Sequence, residues 1–170
     1  MSMLCLAGGI ASGKTTLARG LHEAVPGSGV VSFGDVVRRR VAELGLSQDR
    51  ASLQRVGEQL IAAGWSTFVA ALLRDVEPGS NLLIVDGVRH VEALDALRAA
   101  VPQVPQRLVY VAVEEAVQRR RLAARGESVE ALAHPMEQNL DTLRARADLV
   151  VASDRSIRDV LHQILDLLGY

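Results

Sequence analysis

The chain has 170 residues, 49% of them hydrophobic, which is enough for one well-buried core and too few for two ordinary domains. Its formal net charge is −1, from 19 basic and 20 acidic residues, which excludes a global field that would attract nucleic acid or an anionic membrane. Aromatic residues make up only 3% of the chain, so stacking platforms for single-stranded nucleic acid are scarce. Any anionic ligand must therefore bind at a local site.

The lone cysteine, Cys5, excludes an internal disulfide framework and a cysteine-based zinc site. The amino terminus leads directly into an apolar run without a basic leader, and no stretch approaches ~18 uninterrupted apolar residues. These features predict a soluble, cytoplasmic protein whose partners include neither a membrane nor nucleic acid.

The first predicted element is a buried strand over residues 3–7, and residues 16–24 have helical composition. Between them lies the sequence GGIASGKT at residues 8–15, which matches the pattern G-x-x-x-x-G-K-[ST] without a gap. Lys14 is the only lysine of the chain. The strand before the motif and the helix after it are the context in which this pattern forms a phosphate-binding loop.

The spacing of this motif has a physical reason. Its glycines let successive backbone N–H groups point at phosphate oxygens, and the positive end of the following helix dipole adds to the attraction. Lys14 would reach the β and γ phosphates of ATP, and the Thr15 hydroxyl would hold Mg²⁺. The residues expected to bind the nucleotide are Gly8, Gly9, Ala11, Ser12, Gly13, Lys14, Thr15 and Thr16.

Four further short apolar runs predict strands at residues 29–32, 81–85, 107–113 and 148–152. Because strands and helices alternate, we expect right-handed βαβ units and a parallel sheet covered on both faces. The predicted class is therefore α/β, doubly wound, as a three-layer fold around a five-stranded parallel sheet.

Two segments interrupt this alternation. Residues 35–78 are a helical insertion, in which Ser47 is a plausible N-cap for a helix that begins near Gln48. Residues 126–145, which include Ser128, His134 and Pro135, form a short lid-like segment. The chain is then a single domain whose sheet core comprises residues 1–34, 80–125 and 146–170. We expect the insertion to hold a second substrate.

Charged residues follow two of the predicted strands. Asp35 and Arg38 come after the second strand, where the carboxylate could accept a proton or bind metal-bound water and the arginine could grip an anion. A plain helix cap at Asp35 remains the alternative. Asp86 directly follows the third strand, where a magnesium-organising carboxylate belongs, and Arg89 would point into the same crevice.

The order GxxxxGKT, GDxxR, a strand ending in DGxR, and then an arginine-rich helix resembles small-molecule P-loop kinases such as adenylate kinase and dephospho-CoA kinase. This resemblance covers nearly the whole chain. The adenylate kinase motifs are matched at Asp35, Arg38, Asp86 and Arg89, although Val88 stands where that family has proline. The resemblance implies that both arginines bind the phosphate of the acceptor and that both aspartates lie around magnesium.

The run from Arg50 to Glu58 is similar to the R-x-x-L-Q-x-x-G stretch of phage-type deoxynucleoside monophosphate kinases. This similarity implies that Arg50 and Gln54 lie in the acceptor pocket. An ordinary amphipathic helix is compatible with the same residues. Trp65 and Phe68 could flank a base, or they could belong to the core of the insertion.

Two resemblances concern the nucleotide side of the site. Arg121 and Arg125 match an R-x-x-x-R pair that contacts phosphates in adenylate kinase, and positive charge there would stabilise the migrating phosphoryl group. Ser153-Asp154-Arg155-Ser156-Ile157 resembles the N-D-G-S-(I/L) turn that borders adenine in dephospho-CoA kinase-like proteins, which implies that Asp154 lies near the base.

The resulting hypothesis is an ATP- and Mg²⁺-dependent phosphotransferase, monomeric or homodimeric, that acts on a nucleoside or deoxynucleoside monophosphate. Its catalytic groups would be Lys14, Arg121 and Arg125, with Asp35 as the base if the acceptor is a hydroxyl. Two alternatives stay open. One is dephospho-CoA kinase-like transfer to a hydroxyl, and the other is an ATP-hydrolysing switch that acts through a partner.

Overall fold

The computed structural model describes residues 1–127 and 140–170, and in these residues five strands form one parallel sheet in the order β2-β3-β1-β4-β5. The elements are β1 Ser2–Ala7, α1 Lys14–Ala24, β2 Ser28–Ser32, α2 Phe33–Glu43, α3 Arg50–Ala62, α4 Trp65–Leu73, β3 Leu82–Val88, α5 Val91–Ala100, β4 Gln106–Ala112, α6 Glu115–Ala124, α7 Leu140–Ala145, β5 Leu149–Ala152 and α8 Ile157–Leu168. This arrangement confirms the predicted α/β class and the five-stranded parallel sheet.

The central strand β1 supplies both hydrophobic cores because its side chains alternate between the two faces of the sheet. Met3 and Cys5 contribute to a core that also contains residues of α2, α4, α5 and α7. Leu4 and Leu6 contribute to a second core with residues of α1 and α8. The sheet is therefore the middle of three layers, and the carboxyl end of β1 leads directly into the phosphate-binding motif.

Strand β3 extends further than the sequence pattern predicts. Instead of ending at residue 85 it continues to Val88, because its pairing with β1 shifts register at Leu6/Ala7, where Asp86 pairs with Leu6 and Val88 with Ala7. Gly87 is the extra residue of this bulge, and its φ of 88° is in the left-handed region that glycine adopts readily. Asp86 therefore lies within the strand.

Three successive helices, α2, α3 and α4, connect β2 with β3. The prediction of Ser47 as an N-cap is wrong. Asp49 caps α3 by accepting a hydrogen bond from the backbone N–H of Ser52 at 2.8 Å, and the Ser47 hydroxyl donates to the Asp49 carboxylate instead. A carboxylate is an N-cap at least as good as a hydroxyl, and Asp49 is adjacent to the first helical residue.

No single helix within residues 1–127 and 140–170 is long and apolar enough to cross a membrane. Helices α3 and α4 reach the required length and composition only when they are taken together, and this pair is bent by 112°. Both helices contribute to the hydrophobic core on one face of the sheet, α3 through Leu60 and Ile61 and α4 through Phe68, Val69 and Leu72. The predicted lid at residues 126–145, with Ser128, His134 and Pro135, falls largely outside the described residues.

The buried thiol of Cys5 should be chemically inert in the folded protein. The pKa of Cys5 is raised to about 12, chiefly by burial; Arg98 opposes this shift and Asp148 contributes to it. Because the thiolate is the reactive form, we expect a disulfide reagent at pH 8 to label the native protein at least about 100-fold more slowly than the unfolded chain. Rapid stoichiometric labelling of the native protein would contradict this placement of Cys5.

Candidate functional site

The phosphate-binding motif forms a tight loop between β1 and α1. Gly8 has a φ of 140°, and a Cβ atom there would lie 2.5 Å from the carbonyl oxygen of Val111, so no other residue fits. Gly13, with a φ of 102°, is the N-cap of α1, and no side chain caps this helix. The N–H groups of its first turn therefore face an open site that suits an anion.

Lys14 is buried inside this loop, with 6% of its surface exposed. Its Nζ donates hydrogen bonds to the carbonyl oxygens of Gly8 at 2.8 Å and Gly9 at 2.7 Å, and to Oγ of Ser12 at 3.1 Å. A buried ammonium group is costly unless it is satisfied in this way. The loop thus holds one positive charge at a fixed position next to the N-terminus of α1.

Thr15 and Asp86 form the part of the site that fits a magnesium ion. The Thr15 hydroxyl donates to Oδ2 of Asp86 at 2.6 Å, whereas the buried Oδ1 atom of Asp86 has no hydrogen-bond partner among the described residues. An unpartnered buried carboxylate oxygen is unfavourable without a ligand, and oxygen is the donor that Mg²⁺ prefers. Within residues 1–127 and 140–170 no group of three or more His, Cys, Asp or Glu side chains could hold a metal.

Helix α6 holds the phosphate-binding loop from outside. Gln118 Nε2 donates to the carbonyl oxygen of Ile10 at 2.9 Å. Arg121 donates to the carbonyl oxygens of Ala11 and Ser12 at 3.0 and 3.2 Å, and also to Ser153 beyond β5. No sequence motif indicated Gln118, which is one of several polar residues on α6. In this structure Arg121 binds the loop itself, and its predicted catalytic role stays a prediction.

One of the contacts from α6 involves a residue of the loop whose backbone is strained. Ala11 has a φ of 56°, a left-handed conformation that costs a residue other than glycine of the order of 1 kcal/mol or more. The carbonyl oxygen of Ala11 accepts one of the bonds from Arg121. Helix α6 therefore contacts the loop at this strained residue.

Replacing Gln118 by alanine should therefore loosen the loop. We expect the loss of one partly buried hydrogen bond to lower the free energy of unfolding by about 1 kcal/mol and to raise KM for the nucleotide several-fold. The measurement is thermal unfolding together with steady-state kinetics, and Arg119→Ala on the exposed side of α6 is the matched control. An unchanged KM for the nucleotide would show that the Ile10 contact does not hold the loop in its working conformation.

A cavity of about 520 Å³ opens beside the phosphate-binding loop and extends to helices α2, α3 and α4. It brings together twelve of the residues that the sequence predicted for the site, namely Ala11, Ser12, Gly13, Lys14, Thr15, Thr16, Arg38, Arg50, Gln54, Asp86, Arg89 and Arg125. The side of the cavity that these arginines line is therefore rich in positive charge, which suits an anion. A second cavity of about 310 Å³ lies on the other side of the loop and is lined by Arg121, Arg125, Ser153, Arg155 and Ile157, among others.

An aromatic cluster lines part of the larger cavity. The rings of Trp65 and Phe68 are nearly parallel, with centroids 5.9 Å apart, and Phe33 packs edge-on against both. Trp65 also contacts the His90 ring at 4.9 Å. Burial lowers the pKa of His90, and the adjacent Arg89 lowers it too, although Glu92 acts in the opposite direction. Three aromatic rings and the imidazole of His90 thus form one wall of the cavity, which sequence reasoning proposed only for Trp65 and Phe68.

Four predicted site residues lie outside the lining of these cavities, namely Gly8 and Gly9 of the phosphate-binding loop, Asp35 and Asp154. Asp35 is exposed on α2, where its carboxylate binds the guanidinium of Arg38 at 2.6 Å. Asp154 is exposed in the turn after β5, whose neighbours Ser153 and Arg155 do line the smaller cavity. Roles of Asp35 in catalysis or metal binding and of Asp154 in nucleotide binding stay predictions.

The fold and the phosphate-binding loop define a P-loop kinase-like domain. Three solved structures share this fold at low sequence identity. The shikimate kinase of Acinetobacter baumannii in complex with shikimate has a TM-score of 0.68 and 19% identity, and the match covers 99% of this chain and 93% of that chain. A sugar kinase of Janibacter sp. HTCC2649 has a TM-score of 0.64, 16% identity and coverage of 99% and 95%, and the APS kinase of Mycobacterium tuberculosis has a TM-score of 0.56, 17% identity and coverage of 99% and 97%. They show that the chain has the same fold as these three kinases.

Residues 3–150 match the family described as AAA domain (AAA_33), and the chain belongs to this family. Similar curated proteins are the UPF0200 proteins of Methanosarcina barkeri, 34% identical over 58% of this chain and 53% of that protein, and of Thermococcus kodakarensis, 30% identical over 68% of this chain and 63% of that protein. The matched regions therefore span between about half and two thirds of the length of these relatives.

Proposed function

We propose that this protein transfers the γ-phosphoryl group of ATP to a small phosphorylated acceptor, most favourably a nucleoside or deoxynucleoside monophosphate. The observation that carries the proposal is the composition of the larger cavity. It joins the phosphate-binding loop to arginines Arg38, Arg50 and Arg89 and to the aromatic wall of Phe33, Trp65 and Phe68. Cations suit the phosphate of such an acceptor, and aromatic rings suit a planar base.

Catalysis in this proposal is positional and electrostatic. Lys14 and the N-terminus of α1 bind the phosphates of the donor, and Thr15 and Asp86 would hold magnesium, which neutralises phosphate charge when it is bound. Arg38 and Arg89 orient the acceptor phosphate. Because a phosphate oxygen of the acceptor is already ionised near neutral pH, the reaction needs no strong general base.

Transfer to a hydroxyl acceptor is the second candidate, since the structurally similar proteins named above are sugar, shikimate and APS kinases. That chemistry needs a base such as Asp35. In the structure Asp35 is 64% exposed and is bound to Arg38. To act as a base, Asp35 would have to leave this ion pair and turn towards the cavity. Arg38 already lines the cavity and has N–H groups besides those bonded to Asp35, which favours a phosphate acceptor.

The proposal is tested by ADP formation in the presence of magnesium and ATP. The acceptor panel contains ribonucleoside and deoxyribonucleoside monophosphates, dephospho-CoA and shikimate. We expect strong stimulation by one monophosphate. Stimulation by dephospho-CoA or shikimate alone would favour the hydroxyl acceptor, and turnover that ignores every acceptor would favour an ATP-hydrolysing switch.

Replacing Arg89 by glutamine should separate acceptor binding from nucleotide binding. Losing a charge-assisted contact to the acceptor phosphate should raise KM for the acceptor by roughly 10–100-fold and leave KM for ATP nearly unchanged. Arg74→Gln, on the exposed end of α4, is the matched control. Equal losses for both substrates would show that Arg89 does not act on the acceptor.

A further inference from the structure

Two ion pairs with the same spacing lie on α2. Arg38 binds Asp35 at 2.6 Å, and Arg40 binds Glu43 at 3.0 Å, each between residues three apart in the helix. All four side chains are between 48% and 64% exposed, and exposed pairs of this kind add little to the free energy of unfolding. Of these four residues, the larger cavity is lined by Arg38 alone. The first pair therefore differs from the second in its position at the site rather than in its contribution to stability.

The guanidinium of Arg38 is held on two sides. Oδ1 of Asp35 accepts hydrogen bonds from Nε at 3.1 Å and from Nη2 at 2.6 Å. Beside the guanidinium lies the backbone of Gly34, where a Cβ atom would be 3.3 Å from Nη2 and 3.4 Å from Nη1, closer than an ordinary contact. Glycine at this position thus leaves the space that the guanidinium occupies.

This arrangement leaves N–H groups of Arg38 that can still donate. Arginine has five such donors, and those bonded to Asp35 are the one on Nε and one of the two on Nη2. Both terminal nitrogens therefore keep a donor, and a guanidinium that offers both can bind two oxygens of one phosphate. A long side chain that is already held also loses less freedom when a ligand binds. The pair thus suits a phosphate-binding group that is prepositioned in the free protein.

We propose that Asp35 is a positioning residue, which together with Gly34 holds the guanidinium of Arg38 where it binds the phosphate of the acceptor. This inference rests on the proposed function and deepens it, because it gives Asp35 a role other than that of a general base. Two other roles predict different results. Loss of a base would lower turnover and not binding, and loss of a mere negative charge near the site would strengthen the binding of an anion.

Equilibrium binding of monophosphates without ATP tests this role independently of turnover. The ligands are AMP, GMP, CMP and dTMP, and the corresponding nucleosides are controls that lack the phosphate. We expect Asp35→Ala to bind the preferred monophosphate about fivefold to tenfold more weakly than wild type, and its nucleoside equally well. Asp35→Asn keeps an acceptor oxygen and should recover part of the affinity. Glu43→Ala, which removes the carboxylate of the second pair, is the matched control.

A double-mutant cycle shows whether Asp35 acts through Arg38. In an Arg38→Gln background, Asp35→Ala should not weaken monophosphate binding further, because the group that it positions is absent. Thermal unfolding reports whether each variant is folded. Unchanged or tighter binding by Asp35→Ala, the same loss in the Arg38→Gln background, or no monophosphate binding by wild type would overturn the inference.

Steady-state kinetics with ATP separates this inference from the proposed function. If a monophosphate accepts the phosphoryl group, Asp35→Ala should raise KM for that acceptor and leave kcat within about threefold of wild type. A fall in kcat of about 100-fold or more in both Asp35→Ala and Asp35→Asn, with binding unchanged, would identify a base and overturn the inference. The expected losses of binding without any transfer would support the inference and contradict the kinase proposal. Transfer to a monophosphate whose binding ignores Asp35→Ala would do the reverse.

Gly34→Ala tests the other side of the guanidinium. Alanine favours a helix more than glycine does, so we expect the variant to fold with a melting temperature close to that of wild type. Its Cβ atom should displace the guanidinium of Arg38 and weaken monophosphate binding several-fold, and this loss should vanish in the Arg38→Gln background. Full affinity in the folded variant, or a loss that persists in that background, would overturn the part of the proposal that concerns Gly34.

Discussion

Replacing Lys14 by methionine should lower kcat for phosphoryl transfer by on the order of 10²–10³-fold. Methionine keeps much of the length of the side chain but removes the only charge that the structure buries inside the phosphate-binding loop, where Nζ lies 2.7 to 3.1 Å from three acceptor atoms. Without this charge, the loop loses its main electrostatic stabilisation of the transferring group. The measurement is acceptor-dependent turnover at saturating ATP.

Arg19→Met is the matched control, because it removes a cation from the exposed side of the same helix, α1. Thermal unfolding of Lys14→Met reports whether the fold survives, since three acceptor atoms of the loop lose a donor. A folded Lys14→Met variant with wild-type kcat would mean that the loop does not perform the chemistry assigned to it.

Replacing Asp86 by asparagine should produce opposite effects on stability and activity. The change converts a buried carboxylate with one unpartnered oxygen into a neutral amide that can still accept the hydrogen bond from Thr15. We expect the free energy of unfolding of the ligand-free protein to rise by about 1 kcal/mol. We also expect kcat to fall by on the order of 10²-fold or more, with a larger magnesium requirement.

Thermal unfolding with and without magnesium and ATP measures the first effect, and a magnesium titration of turnover measures the second. Asp166→Asn, on the exposed side of α8, is the control. A ligand-free Asp86→Asn protein that is less stable than wild type would show that Asp86 is a structural residue. The assignment of Asp86 to the metal would then lose its main support.

The fold could be predicted from the sequence because its main signals are local. The loop motif at residues 8–15 is continuous, and the five strands are short apolar runs between helical segments. The end of β3 was predicted too early because the bulge at Gly87 depends on pairing with β1, a strand roughly 80 residues away along the chain. Register shifts of this kind leave no local signature in the sequence.

Residues of the site could be predicted where a charged residue or a glycine belongs to a recognisable sequence motif. Lys14, Asp86 and Arg89 belong to such motifs, and all three line the same cavity. Gln118 was not predicted because Ile10, its hydrogen-bond partner, lies 108 residues away along the chain. The sequence of a polar helix does not indicate which distant residue one of its glutamines contacts.

The most direct test of the account is to follow labelled phosphate from γ-³²P-ATP in the presence of magnesium and a nucleoside monophosphate. The account predicts that the label appears in the corresponding nucleoside diphosphate, and that Lys14→Met abolishes this product. Label that appears only as inorganic phosphate, at the same rate with and without acceptor, would contradict it.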